Sequence, residues 1–222
     1  MRFLCFHGRG TNNQILETQL AALRHELGDS HTYDFVEGIL PASLAPELVG
    51  IFPLEGAYYD YFSHESAESV NKALDDLSQF IALEGPYDGI IAFSIGAALS
   101  ATYLIRERIT NPDKPLSFKC AIFLCGGAPL DPNALARGEV SLLDPVPGRP
   151  FLSGLPTAHI WGRNDTLWGY RSERLSSVCD PEEQTIFLHD EGHAVPGARA
   201  KDALLNSVRA IRRTVGRAVL VG

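Results

Sequence analysis

Short apolar runs alternate along the chain with longer segments whose apolar residues recur every three to four positions. The first run, residues 2–6 (Arg-Phe-Leu-Cys-Phe), predicts a buried strand. Across residues 11–27, apolar Ile15, Leu16, Leu20, Ala21, Leu23 and Leu27 recur close to the helical period, and Gly28 supplies the stop. Residues 32–36 read as a second strand. Residues 66–83 read as a helix with Val70, Ala73, Leu74, Leu77, Phe80 and Ile81 on one face. Beyond it, the pattern predicts strands at 87–93, 118–124, 157–161 and 185–188. Helices are predicted at 95–109, 169–178 and 198–215.

Strand followed by helix, repeated, has one economical solution: an α/β architecture of about six mostly parallel strands flanked by helices. Two connections, near 38–65 and 126–156, are too long for plain loops and are expected to form lid or pocket insertions. No Pro/Gly-rich linker separates two cores, so residues 1–222 are expected to fold as a single domain. In such sheets chemistry gathers where strands end. The segments there are His7-Gly8-Arg9-Gly10, Glu37-Gly38, Ser94, Cys125-Gly126-Gly127, Gly162-Arg163-Asn164-Asp165 and residues 189–193. A serine, an aspartate and a histidine occur among them in that chain order.

Composition removes several classes of function. The 27 acidic and 19 basic side chains leave a net charge of −8, which disfavours a nucleic-acid partner. No apolar run reaches the ~18 residues of a membrane span, so no membrane partner is expected. The four cysteines are too scattered for a disulfide framework or a zinc site, and they point to a reducing, cytoplasmic setting with no metal. No cofactor is expected either. The string Gly8-x-Gly10 continues to Asn13 instead of a third glycine, so the dinucleotide fingerprint fails, and a phosphate-binding Gly-x-x-x-x-Gly-Lys string is absent.

Ala92-Phe93-Ser94-Ile95-Gly96 matches a nucleophile elbow with alanine for its first glycine. The turn needs small residues two positions either side of the serine, and the following helix opens with Gly96-Ala97-Ala98. The plain alternative is a serine capping that helix. Serine needs a base, and His193, in Glu191-Gly192-His193 just after the last strand, is the best placed histidine. Asp165 is the expected acid that orients the imidazole; Asp190, three residues before His193, is the runner-up. The backbone N–H groups of Ile95 and Arg9 are the expected oxyanion donors. Tyr58, Tyr59 and Phe62, in the first insertion, either line a substrate tunnel or anchor a long loop. Arg9 and Arg163 are placed to meet a phosphopantetheine or a carboxylate, or else to pair with surface acids.

These motifs resemble the small fungal serine hydrolases of the α/β-hydrolase superfamily, similar to the thioesterases that release acyl chains from polyketide synthases. The resemblance rests on Phe6-His7-Gly8 with Gly10-Thr11-Asn12, Gly85-Pro86-Tyr87-Asp88-Gly89, Phe93-Ser94-x-Gly96-Ala97, Gly162-x-x-Asp165 and Gly192-His193-x-x-Pro196. The sequence departs from the family at Ala92, usually glycine, and at Ile95, often glutamine. The resemblance implies the short version of the α/β-hydrolase fold and a triad of Ser94, Asp165 and His193. It implies hydrolysis of an ester or thioester of an apolar or polyketide-like acyl group, with an acyl carrier domain as a possible donor. The alternatives are a non-catalytic binding protein on the same scaffold and a hydrolase of peptide or carbon–carbon bonds.

Overall fold

Strands β1 (Arg2–Phe6), β5 (Gly89–Phe93) and β6 (Cys120–Leu124) are buried along nearly their whole length, because both faces of their sheet are covered. Successive side chains serve opposite faces. Leu4, Phe6, Ile90, Ala92, Ala121 and Phe123 join one core, whereas Phe3, Cys5, Ile91, Phe93, Ile122 and Leu124 join the other. The computed structural model describes residues 1–221.

Six parallel strands lie in the order β2 (Thr32–Val36), β1, β5, β6, β7 (Thr157–Gly162) and β8 (Gln184–His189). Helices α1 (Asn13–Leu27) and α6 (Lys201–Val221) cover one face through Leu16, Leu20, Leu23, Leu204, Val208 and Ile211. Helices α2 (Ala67–Glu84), α3 (Ile95–Thr110), α4 (Pro132–Ala136) and α5 (Gly169–Ser177) serve the other through residues such as Leu74, Leu104, Leu135 and Leu175. This is the expected α/β-hydrolase arrangement in short form. The chain leaves β1 for β2 on one side and returns to β5 on the other, so a topological switch lies between β1 and β5, where such sheets open a crevice.

The start of α1 follows from sequence, because Asn12 Oδ1 accepts the Ile15 N–H and satisfies a free helix-end donor. Helix α6 runs past the expected end at 215; Gly216 lies within it and Ala218, only 2% exposed, packs inward. The two long connections hold elements absent from the sequence reading. A two-stranded antiparallel ribbon, β3 (Leu40–Ala42) and β4 (Tyr58–Asp60), occupies the first. Helix α4 occupies the second, with Leu130, Leu135, Leu143 and Leu152 buried in the main core. Both segments are too short for periodicity to reveal. No helix among the described residues is long and apolar enough to cross a membrane.

Candidate active site

Ser94 stands between β5 and α3 with φ 52° and ψ −115°, a conformation that L-residues rarely adopt. Its own hydroxyl makes no cap bond to α3, which removes the plain helix-cap explanation. The turn is over-determined by its surroundings. The Ser94 N–H donates to the Leu124 carbonyl at 3.1 Å, and the Ser94 carbonyl accepts from the Gly127 and Ala97 N–H groups at 2.8 and 3.1 Å. A side chain at Gly96 would place Cβ 2.6 Å from Phe6 Cβ and 2.7 Å from the His7 carbonyl, so glycine is what lets α3 approach β1.

The other two side chains arrive from the ends of β7 and β8. Ser94 Oγ lies 3.0 Å from His193 Nε2, and His193 Nδ1 lies 2.6 Å from Asp165 Oδ2. The carboxylate can only accept, so it holds the Nδ1–H tautomer and leaves Nε2 as an acceptor for the serine hydroxyl. The Asp165 side chain is 3% exposed and that of His193 14%, so the carboxylate is shielded while the imidazole stays reachable. The rings of Phe93 and Trp168 flank the imidazole at centroid distances of 5.2 and 6.3 Å.

Three groups missed in the sequence hold this assembly. The second oxygen of Asp165 accepts the Trp168 N–H at 2.9 Å. Asn164 bridges the two loops: its Oδ1 accepts the Gly192 N–H at 2.9 Å and its Nδ2 donates to the Asp190 carbonyl at 2.7 Å. Gly162 matters for the same crossing, because a Cβ there would run into the Gly192 carbonyl. Asp190, the runner-up acid, instead holds Arg163 Nε at 3.0 Å and does not touch His193.

Gly8 lies against the elbow: a Cβ on it would sit 3.6 Å from Ser94 Cβ. Among the described residues neither the Arg9 N–H nor the Ile95 N–H has a hydrogen-bond acceptor, so both are free. The Arg9 side chain is 67% exposed and reaches Asp60 Oδ2 at 3.3 Å. Both arginines at the mouth are thus paired with acids.

Of the two readings of Tyr58 and Phe62, their burial favours the loop-anchoring one. Tyr58 is 5% exposed and packs with Ile15 and Leu44, while Phe62, at 1%, belongs to the main core. Their rings satisfy apolar burial of the first insertion and present no open wall. Tyr59 is half-buried in the ribbon, where it pairs with Pro41, and its backbone bonds to Gly10 and Thr11.

Cys125 Sγ, Asp165 and His193 offer metal-type ligand atoms within 4.8 Å of one another. Asp165 and His193 are already bonded to each other, and burial pushes the Cys125 thiol up to about 12, so it stays protonated toward the Ala194 carbonyl at 3.5 Å. This donor set suits a hydrogen-bonded relay better than an ion.

A parallel sheet of this order, with a serine on a strained turn at its switch point, defines a serine hydrolase of the α/β-hydrolase fold. The chain matches the serine hydrolase (FSH1) family over residues 1–203 and belongs to that family. Over 222 residues it is 36% identical to Esterase FPY3 of Fusarium mangiferae, covering 99% of each chain. Its fold is similar to a carboxylesterase from Mesorhizobium loti, with TM-score 0.61, 16% identity, and coverage of 92% of this chain and 86% of that one. Esterase PE8 is similar too, with TM-score 0.61, 18% identity, and coverage of 96% and 92%. The protein is a serine hydrolase.

Proposed function

We propose that the protein cleaves an ester or thioester of an apolar or polyketide-like acyl group through an acyl-enzyme on Ser94. One observation carries this reading: the unbroken chain from Asp165 Oδ2 through the His193 ring to Ser94 Oγ, at 2.6 and 3.0 Å. His193 takes the Ser94 proton as Oγ attacks the carbonyl carbon. The Arg9 and Ile95 amides receive the charge that develops on oxygen, and Asp165 stabilises the imidazolium. Collapse expels the alcohol, protonated by His193, or a thiolate, in which case the imidazolium passes its proton to the departed sulfur or to solvent and His193 is again neutral. A water molecule, deprotonated by His193, then hydrolyses the acyl-enzyme and restores the Ser94 hydroxyl.

The acyl donor is a small ester or thioester, or an acyl group carried on an acyl carrier domain. A panel of p-nitrophenyl esters and acyl thioesters of several chain lengths, run on wild type and Ser94→Ala, tests the proposal. Loss of kcat by roughly 10⁴–10⁶-fold in the variant is expected. A fluorophosphonate should label the wild type at Ser94. Full turnover by Ser94→Ala would remove the nucleophile, and absence of labelling would favour a binding protein. Cleavage confined to peptides or carbon–carbon bonds would reassign the reaction.

A further inference from the structure

His7 lies beside the proposed oxyanion donors but has no part in the steps above. It is fully buried and its ring is held at both nitrogens. Nε2 accepts the Gly38 N–H at 2.9 Å, which places the ring proton on Nδ1. That Nδ1–H donates to the Gly8 carbonyl at 2.7 Å, and the Thr11 hydroxyl donates to the same oxygen at 2.6 Å. Thr11 Oγ1 lies 3.1 Å from Nδ1, which closes a three-membered cluster on one carbonyl. Burial lowers the His7 pKa, so the ring is neutral in the state the cluster requires.

The Gly8 carbonyl shares its peptide plane with the Arg9 N–H. In a planar trans peptide the C=O and N–H point in opposite directions. Two donors gripping the oxygen therefore aim the Arg9 N–H the other way, and that N–H is free while Gly8 lies against Ser94. Neighbouring contacts lock the rest of the loop. The His7 N–H donates to Tyr61 Oη at 2.7 Å, and the Gly10 N–H donates to Asp60 Oδ1 at 3.0 Å. Tyr61, Asp60 and Gly38 all come from the first long connection, whose ribbon thereby braces the loop that bears the donor.

We infer that His7 and Thr11 are positioning residues that orient the Arg9 amide toward the developing oxyanion by jointly holding the Gly8 carbonyl. The inference rests on the acyl-enzyme reading above. It accounts for a buried imidazole bonded at both nitrogens, its Nε2 also 3.3 Å from the Glu37 carboxylate, that the acyl-transfer steps do not use. A peptide held in this way is preorganised, so no reorientation is needed when charge appears.

The test compares Thr11→Val, which removes the hydroxyl at nearly constant volume, with Thr11→Ser, which retains it. Each is assayed on a p-nitrophenyl ester and titrated with two inhibitors of equal chain length. A trifluoromethyl ketone forms an anionic hemiketal on the serine, whereas the plain methyl ketone occupies the ground state. For Thr11→Val we expect kcat to fall about tenfold, short of the 10²–10³-fold loss typical when an oxyanion donor is removed outright. The Ki for the trifluoromethyl ketone should rise by a similar factor, with KM and the methyl ketone Ki unchanged. Thr11→Ser should restore both. A merely structural hydroxyl would alter thermal stability without separating the two ketones. His7→Leu, checked for folding by circular dichroism, should show the larger effect in the same direction; if it does not fold, the threonine pair decides. Wild-type values in Thr11→Val, or equal losses in Thr11→Val and Thr11→Ser, would overturn the inference. Ser94→Ala separates the two levels. If it remains active the acyl-enzyme reading fails, and if it is dead while Thr11→Val is normal only the positioning role fails.

Discussion

Asp165 uses both carboxylate oxygens, one on His193 and one on the Trp168 N–H, so the acid cannot rotate without breaking a second bond. Asn164 next to it ties the loop bearing His193 to the loop bearing Asp165. These are separate tasks, charge and distance, and substitutions should divide them. Asp165→Asn keeps the shape but presents a donor that favours the wrong imidazole tautomer, so kcat should fall about 10⁴-fold with the melting temperature little changed. Asn164→Ala keeps every charge but frees the Gly192 N–H and the Asp190 carbonyl. A kcat loss on the order of tenfold is expected, because small misplacements of a catalytic group are costly. Stopped-flow burst measurements should show acylation slowed in both variants. Asp165 was legible because an acid just after β7 has few competitors; Asn164 was not, because a turn asparagine carries no chemical signature of its own.

The unit formed by β5, the Ser94 turn and α3 was readable at the level of elements. Small residues at Ala92, Gly96, Ala97 and Ala98 have no other use in an apolar strand and helix. The structure adds what those residues admit, which is close contact between the first turn of α3 and the end of β1. Gly96→Ala therefore forces a methyl group against Phe6 and the His7 carbonyl. A destabilisation of ~1–3 kcal/mol is expected from the urea midpoint, with activity reduced in the fraction that remains folded. The ribbon β3–β4 and helix α4 were not readable, because a three-residue strand or a five-residue helix is shorter than the pattern that would reveal it and exists through tertiary contacts. Tyr58 and Phe62 belong to the same lesson: an aromatic cluster in a long connection looks alike whether it faces a ligand or a core.

Across the whole molecule, buried neutral histidines make stability depend on pH. Burial lowers His159, packed on Phe123, to about 3, and lowers His189 to about 4, from the ordinary 6.5. Between those values the unfolded chain binds more protons, so stability rises with pH across the window. The contribution is complete above about 6.5 and erodes as pH falls, by roughly 1.4 kcal/mol per unit for each ring. Asp88 and Asp180 are held low, by the Lys119 ammonium and the Gly154 N–H respectively, so their losses come at still lower pH. Urea midpoints should be flat from pH 8 to 7 and decline by pH 5, and His159→Leu should shallow that decline. Parallel curves for the two proteins would contradict the assignment.

The sequence by itself determined the succession of the six main-sheet strands and the five long helices, because hydrophobic period is a local property that reports directly on which face is buried. It also singled out Ser94, Asp165 and His193 as candidates, since chain order and placement after strands restrict the choice. Tertiary structure alone decided how they meet. Hydrogen-bond distances, the brace of the first connection on His7 and Gly10, and the inward turn of Tyr58 and Phe62 all arise between segments distant along the chain. Such contacts are settled by packing of the whole molecule, and no local run of residues encodes them.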